Sequence, residues 1–132
     1  MLKGGIFHPQ LARVLAELRH MDTIVIGDAG LPIPKGVERI DLGWRPGDPK
    51  YLDVLEEVLE VLVVERATFA KEALQVTPDF HKKALALLPE GIPVDYVPHV
   101  ELKKRSEDAK AIRLTGEFTG YTNVILTCGC AY

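Results

Sequence analysis

Apolar residues along this chain keep two different rhythms. Leu11, Val14, Leu15 and Leu18 recur every three or four positions, the spacing of one helical face. His8-Pro9 opens that helix with proline in its first turn. Thr23-Ile24-Val25-Ile26-Gly27 is instead a short continuous apolar run, the pattern of a buried strand. A second short strand is predicted around Glu38 to Leu42, followed by a turn at Gly43-Trp44-Arg45-Pro46-Gly47. Asp48 then caps a helix with Pro49 at its first position, and Leu52, Leu55, Leu59 and Leu62 supply its inward face. Val63 to Phe69, reaching as far as Ala73, reads as a strand. Thr77-Pro78 begins another helix with Leu85 and Leu88 inward. A strand at Ile92 to Val97, a polar helix at Val100 to Asp108, a strand at Ala111 to Thr115 and a final strand at Val124 to Cys128 complete the series. Strands separated by helices predict an α/β fold: one layered domain over 1–132, with a partly parallel sheet flanked by helices.

Composition narrows the function classes. With 132 residues, 47% hydrophobic and 27% charged, the chain is long enough to bury a core without disulfides or metals. A net charge of −3 with no long basic run argues against nucleic acid. No stretch approaches the roughly 20 apolar residues that span a bilayer, and no signal-peptide apolar segment follows Met1. The expectation is a cytoplasmic protein. Cys128-Gly129-Cys130 is read as a pair of reduced thiols, because a disulfide across one residue is strained and no further cysteine completes a metal site. No zinc spacing and no G-x-G-x-x-G fingerprint occurs. Neither a metal nor a nicotinamide or flavin cofactor is expected.

The chemical candidates gather around loops that follow strands. Asp28-Ala29-Gly30-Leu31-Pro32-Ile33-Pro34 sets a carboxylate just past the first buried strand, in a segment that glycine and two prolines force out of regular structure. Open α/β sheets bind ligands outside the carboxyl ends of their strands. Asp28 is therefore either an Asx-turn residue or a carboxylate that accepts hydrogen bonds from vicinal hydroxyls. His20, at the end of the first helix, is either a local hydrogen-bonding residue or a general acid, and Asp22 either orients its ring or starts the strand. His99 also follows a strand, as a helix cap or as a second group facing the crevice. Lys103 and Lys104 lie one turn further along. Tyr121-Thr122-Asn123 precedes the last strand, with a phenol and a carboxamide suited to a sugar; Asn123 is the only asparagine in the chain. His8 and His81 read as helix-start residues with little signal.

Taken together, these residues resemble the D-ribose pyranase family. The resemblance rests on Lys3-Gly4, His20-x-Asp22, the whole Asp28 to Pro34 string, Val63-Val64-Glu65-Arg66-Ala67, Thr77-Pro78, His99, Lys103-Lys104, Ala111 to Glu117 and Tyr121-x-Asn123, in order along the chain. The related L-fucose mutarotases look different after the Asp-Ala of the loop, which favours ribose. Arg19, Met21, Thr122 and the Cys-Gly-Cys tail depart from the family pattern without removing a group with a chemical role.

The resemblance implies a pyranose–furanose isomerase needing no cofactor. It implies that His20 is the proton donor and that Asp28, His99, Tyr121, Thr122 and Asn123 bind substrate, with Asp22 and Lys103 in support. It also implies a ring-shaped homo-oligomer, a decamer of two pentamers, with sites near subunit interfaces that draw residues from two chains. Two other readings compete: a mutarotase for another monosaccharide such as L-fucose, and a non-catalytic sugar-binding regulator.

Overall fold

The computed structural model describes residues 1–132, and its centre is the strand that the apolar run predicts. β1 spans Thr23–Gly27, with Ile24, Val25 and Ile26 fully buried. The other strands are β2 (Glu38–Asp41), β3 (Val64–Ala70), β4 (Val94–Val97), β5 (Ala111–Leu114) and β6 (Val124–Cys128). They form one sheet in the order β2-β5-β1-β6-β3-β4. β6 runs antiparallel to both of its neighbours, β1 and β3, while the remaining pairs are parallel. Five strands therefore point one way, with β6 reversed inside the sheet.

This arrangement sorts the loops onto two edges. The segments after β1, β3, β4 and β5, together with the residues before β6, meet at one edge. The segments before β1, β3 and β5, and the end of β6, meet at the other.

Helices cover both faces. On one face α1 (Pro9–Glu17), α2 (Tyr51–Val61) and α4 (Pro78–Leu87) close over Ile24, Ile26, Ile40, Ala67, Phe69 and Leu126. On the other, α5 (His99–Arg105) brings Leu102 against Val25, Ile112, Leu114 and Ile125. The alternation of Ile24 and Ile26 against Val25 is the two-residue period of a strand buried on both sides. α3 (Ala73–Val76) is a single turn between β3 and α4, and a 3₁₀ turn at Ser106–Asp108 closes α5.

Several boundaries and faces differ from those predicted. α2 starts at Tyr51 with Lys50 as its cap, because Asp48 and Pro49 are engaged elsewhere. Their peptide bond is cis, the Asp48 carboxylate accepts from Arg45 Nε at 2.9 Å, and Gly116 N–H donates to Pro49 O at 2.9 Å. A Cβ on Gly116 would lie 2.3 Å from Asp48 N, so only glycine fits beneath this turn. The buried stripe of α2 is Tyr51, Val54, Leu55 and Val58; Leu52, Leu59 and Leu62 pack only at its margin. In α4, Leu85 and Leu88 pack against the core as expected, on the same stripe as the more deeply buried His81 and Ala84. His81 is therefore no idle helix-start residue: it is 4% exposed, and its Nε2 lies 2.8 Å from Tyr96 Oη. β4 starts at Val94, two residues later than expected, and α5 begins at His99. Cys128 is buried, Cys130 is exposed, and both are free thiols.

Arg113 is the one charge in the core. It pairs in register with Ile26 on one side and Ile40 on the other, is fully buried, and has no partner for Nε, Nη1 or Nη2. Burial lowers its pKa to about 9. Burial likewise pushes the nearby Cys128 thiol up to about 11, with the Asp22 charge adding to the rise and Arg113 opposing it.

Candidate active site

Asp28 follows β1 directly, where the sheet ends and the backbone must turn. Its Oδ1 accepts from Gly30 N–H at 2.9 Å, the Asx-turn geometry. Its Oδ2 accepts from Asn123 Nδ2 at 3.1 Å, and its own N–H donates to Asn123 Oδ1 at 2.8 Å. Both polar atoms of the buried Asn123 amide thus engage Asp28. Gly27 makes the approach possible, since a Cβ there would sit 2.8 Å from Leu31 Cδ2 and 3.0 Å from Asn123 Oδ1.

The reversed strand explains the pairing. β6 begins where β1 ends, so Asn123 arrives beside Asp28 although 95 residues separate them. Two residues earlier, Tyr121 has φ +61°, in the left-handed region. That turn sets its ring edge-on to His99, with centroids 5.1 Å apart. Thr122 is buried and its hydroxyl donates to Thr119 O at 3.1 Å, so its side chain serves the loop.

His99 opens α5 just past β4, and its N–H donates to the Glu72 carboxylate at 2.9 and 3.1 Å. A carboxylate at a helix N-terminus satisfies an otherwise orphaned donor. Partial burial works to raise the Glu72 carboxyl, but backbone donors, including that of His99, outweigh it and leave the group below its ordinary value. For His99 burial dominates and lowers its pKa, with the Lys103 charge acting in the same direction; Glu72 and Asp28 oppose the shift without reversing it. The ring is thereby favoured in its neutral form. Its Nδ1 is buried without a partner.

A cleft of about 340 Å³ opens beside these residues, lined by Asp28, Ala29, Gly30, Glu117, Phe118 and Gly120. The volume lies at the small-molecule end of ligand pockets. Glu117 follows β5 and is tied to the Asp28 loop, because its carbonyl accepts from Ala29 N–H at 2.8 Å. Beneath both loops the buried Tyr51 hydroxyl is held well above its ordinary pKa, first by burial and then by the Asp28 and Glu117 charges. A larger groove of about 590 Å³ between the N-terminal segment, α1 and α2 is mainly apolar and contains none of the predicted site residues.

His20 is not in this cluster. It precedes β1 whereas Asp28 follows it, so a five-residue strand lies between them, about 16 Å at ~3.3 Å per residue. At its own edge His20 Nε2 lies 3.2 Å from Glu65 Oε2, at the start of β3. Asp22 does not orient the ring, since its Oδ2 accepts from Arg19 N–H at 2.8 Å and its Oδ1 faces Lys110 Nζ at 3.5 Å. The structure therefore joins Asp28, His99, Tyr121 and Asn123 at one edge, with Lys103 near His99, and leaves His20 at the other. Glu65, Glu72 and Glu117 were not singled out from sequence as site residues. Glu72 and Glu117 share the signal that marked Asp28 and His99, a polar residue just past a strand.

Comparison with known proteins bears on all of this. Residues 1–131 match the RbsD / FucU transport protein family. The chain is 51% identical over 132 residues to the D-ribose pyranase of Laribacter hongkongensis and 50% identical to D-ribose pyranase 1 of Rubrobacter xylanophilus, with full coverage of each. Its fold matches that of Bacillus subtilis RbsD, solved in complex with D-ribose, with a TM-score of 0.95 and 41% identity over all of both chains. The Streptococcus pneumoniae fucose mutarotase, solved with L-fucose, shares the fold at a TM-score of 0.78 and 23% identity, covering 99% of this chain and 100% of that one.

Proposed function

Since this chain belongs to the RbsD / FucU transport protein family, we propose that its sheet-edge cleft is where it works as a D-ribose pyranase. The protein is an isomerase that interconverts the pyranose and furanose rings of D-ribose. The observation that carries the reading is the Asp28–Asn123 clasp beside a cleft of monosaccharide size, in a chain half identical to proteins named for that activity.

The chemistry asks for little beyond proton transfer. The ring C–O bond breaks as the ring oxygen gains a proton and the anomeric hydroxyl loses one. The open-chain aldehyde rotates, and a different hydroxyl closes on it with the reverse traffic. No electron leaves the sugar and no outside nucleophile enters. Asp28 is suited to accept from sugar hydroxyls, because a carboxylate offers about four lone-pair sites and two are taken by Gly30 and Asn123. His99 has its Nδ1 buried, which leaves Nε2 as the ring nitrogen to meet a substrate hydroxyl. Tyr121 supplies a face and a phenol, and Lys103 a cation beside His99. Thr122 contributes through the loop it holds.

His20 is the proton donor in this reading, and it comes from a second copy of the chain. A single chain keeps His20 and Asp28 at opposite ends of β1, so a complete site pairs the Asp28 edge of one copy with the His20 edge of another. A ring-shaped homo-oligomer of two stacked pentamers would provide that pairing at every site.

Magnetisation-transfer NMR on D-ribose tests the reading. Faster pyranose–furanose exchange with protein, lost in His20→Ala, is the expected result; an unchanged exchange rate would refute it. Mixing settles the composition of the site. H20A and D28N chains, each inactive alone, should regain activity when unfolded together and reassembled, because some mixed interfaces then carry both native groups. Continued inactivity of the refolded mixture would put His20 and Asp28 in the same chain's site.

A further inference from the structure

Ring opening needs a proton acceptor as well as a donor, and the groups already given a binding role have commitments of their own. Asp28 is held on both oxygens by Gly30 and Asn123. His99 has its Nδ1 sealed away from solvent. Glu117 is different. Its Oε1 accepts from Thr119 N–H at 2.9 Å, while its Oε2 has neither a hydrogen bond nor an ion pair. The free oxygen belongs to a residue that lines the same cleft as Asp28.

The tether of Glu117 is also unusually firm for a loop residue. Its N–H donates to Thr115 Oγ1 at 3.2 Å, and that hydroxyl in turn donates to Gly27 O at 2.9 Å. Its carbonyl accepts from Ala29 N–H at 2.8 Å. Glu117 is thus fastened to the residues on either side of Asp28, so the two carboxylates keep their relative positions. A base set within reach of the proton it removes needs such positioning before it needs anything else.

From the common cleft, the rigid tether and the uncommitted oxygen, we infer that Glu117 is the general base of the ring interconversion, taking the proton from the anomeric hydroxyl through Oε2. The assignment rests on the ribose pyranase reading. Glu117 removes the proton from O1, the C1–O5 electron pair moves onto O5, and O5 takes a proton from His20 as the C1 carbonyl forms. In reclosure O4 attacks C1, its proton returns to His20, and O1 recovers the proton held by Glu117. Both side chains finish as they began, so no outside acid or base is consumed.

Glu117→Gln is the decisive variant, because the amide oxygen can still accept from Thr119 N–H while the base is gone. Exchange of D-ribose followed by magnetisation transfer should fall by about 10²–10⁴-fold, with ribose affinity by calorimetry within a few-fold of the unsubstituted protein. Glu117→Ala should lose as much, and added formate should restore at least about tenfold of it by occupying the vacated space with a small base. Formate should do nothing for Glu117→Gln, whose side chain fills that space. Exchange within about twofold of normal in Glu117→Gln would overturn the assignment. So would a loss of ribose affinity equal to the loss of rate, or a rate loss found only in His99→Gln. Should Glu117→Gln fail to fold, the alanine variant decides by its response to formate. If the unsubstituted protein does not accelerate exchange, the pyranase reading and this assignment fall together.

Discussion

Asn123 holds Asp28 by both atoms of its side-chain amide, donating to Oδ2 at 3.1 Å and accepting the backbone N–H at 2.8 Å. The pair welds the end of β1 to the start of β6. It also turns the Asp28 carboxylate toward the cleft rather than letting it pivot about its own Asx turn. Asn123→Ala should cost about 1–3 kcal/mol, the scale for leaving a buried polar group unpaired, and should weaken ribose binding about tenfold or more. Thermal melts and ribose titration check the two effects, and an unaltered ribose affinity would mean that Asp28 is not a sugar contact.

His20 has its own carboxylate, Glu65, 3.2 Å away across the opposite edge. A histidine whose one nitrogen is held presents the other in a fixed direction. Glu65→Gln should lower turnover several-fold while leaving the dissociation constant for ribose unchanged, since Glu65 steadies the donor and does not hold substrate. Both constants come from exchange rates measured over a range of ribose concentrations.

Acid should destabilise the fold through two histidines. Burial lowers the pKa of His81 and of His99 below the ordinary 6.5. The unfolded chain therefore binds more protons than the folded one once the pH drops below about 6.5. The stabilisation is complete above that value and is lost as the pH falls toward the depressed native values. Melting temperatures should decline from about pH 7 to pH 5, and His81→Gln, which can keep a hydrogen bond to Tyr96, should flatten the decline. An identical slope in that variant would remove His81 from the account.

Arg113 lies between Ile26 and Ile40 with every guanidinium nitrogen buried and unpaired. A lone buried charge costs free energy that an apolar side chain of similar length does not. Arg113→Met should raise stability by about 1–4 kcal/mol, the scale on which apolar replacements outdo buried charges. Chemical denaturation gives the value directly; a lower midpoint would mean that the arginine is satisfied in a way its surroundings do not suggest.

Much of the architecture could be read in the order of residues alone. The near-continuous apolar runs at Thr23–Gly27 and Val124–Cys128 coincide with β1 and β6 residue for residue, because a strand covered on both faces is built mostly of apolar residues. His8 caps α1 as its place before Pro9 suggests, accepting from Leu11 N–H at 3.2 Å. The Asp28 loop was legible because glycine and proline limit the backbone locally and an Asx turn closes over two residues. The family was legible too, since the Asp28 to Pro34 string and its companions keep their order over the whole chain.

Contacts between distant segments decided the rest. The start of α2 moved because Gly116, nearly seventy residues beyond, packs on Asp48 and draws Asp48-Pro49 away from the helix. The buried stripe of α2 centres on Tyr51, Val54, Leu55 and Val58 because the sheet and neighbouring helices select the face that packs best, whereas leucine counts record only what could be buried. Above all, the reversal of β6 and the length of β1 apportioned the chemistry. The first brings Asn123 to Asp28, and the second carries His20 away from it. Eight positions in sequence are close for a loop but far for an extended strand, and only the tertiary structure shows which distance applies.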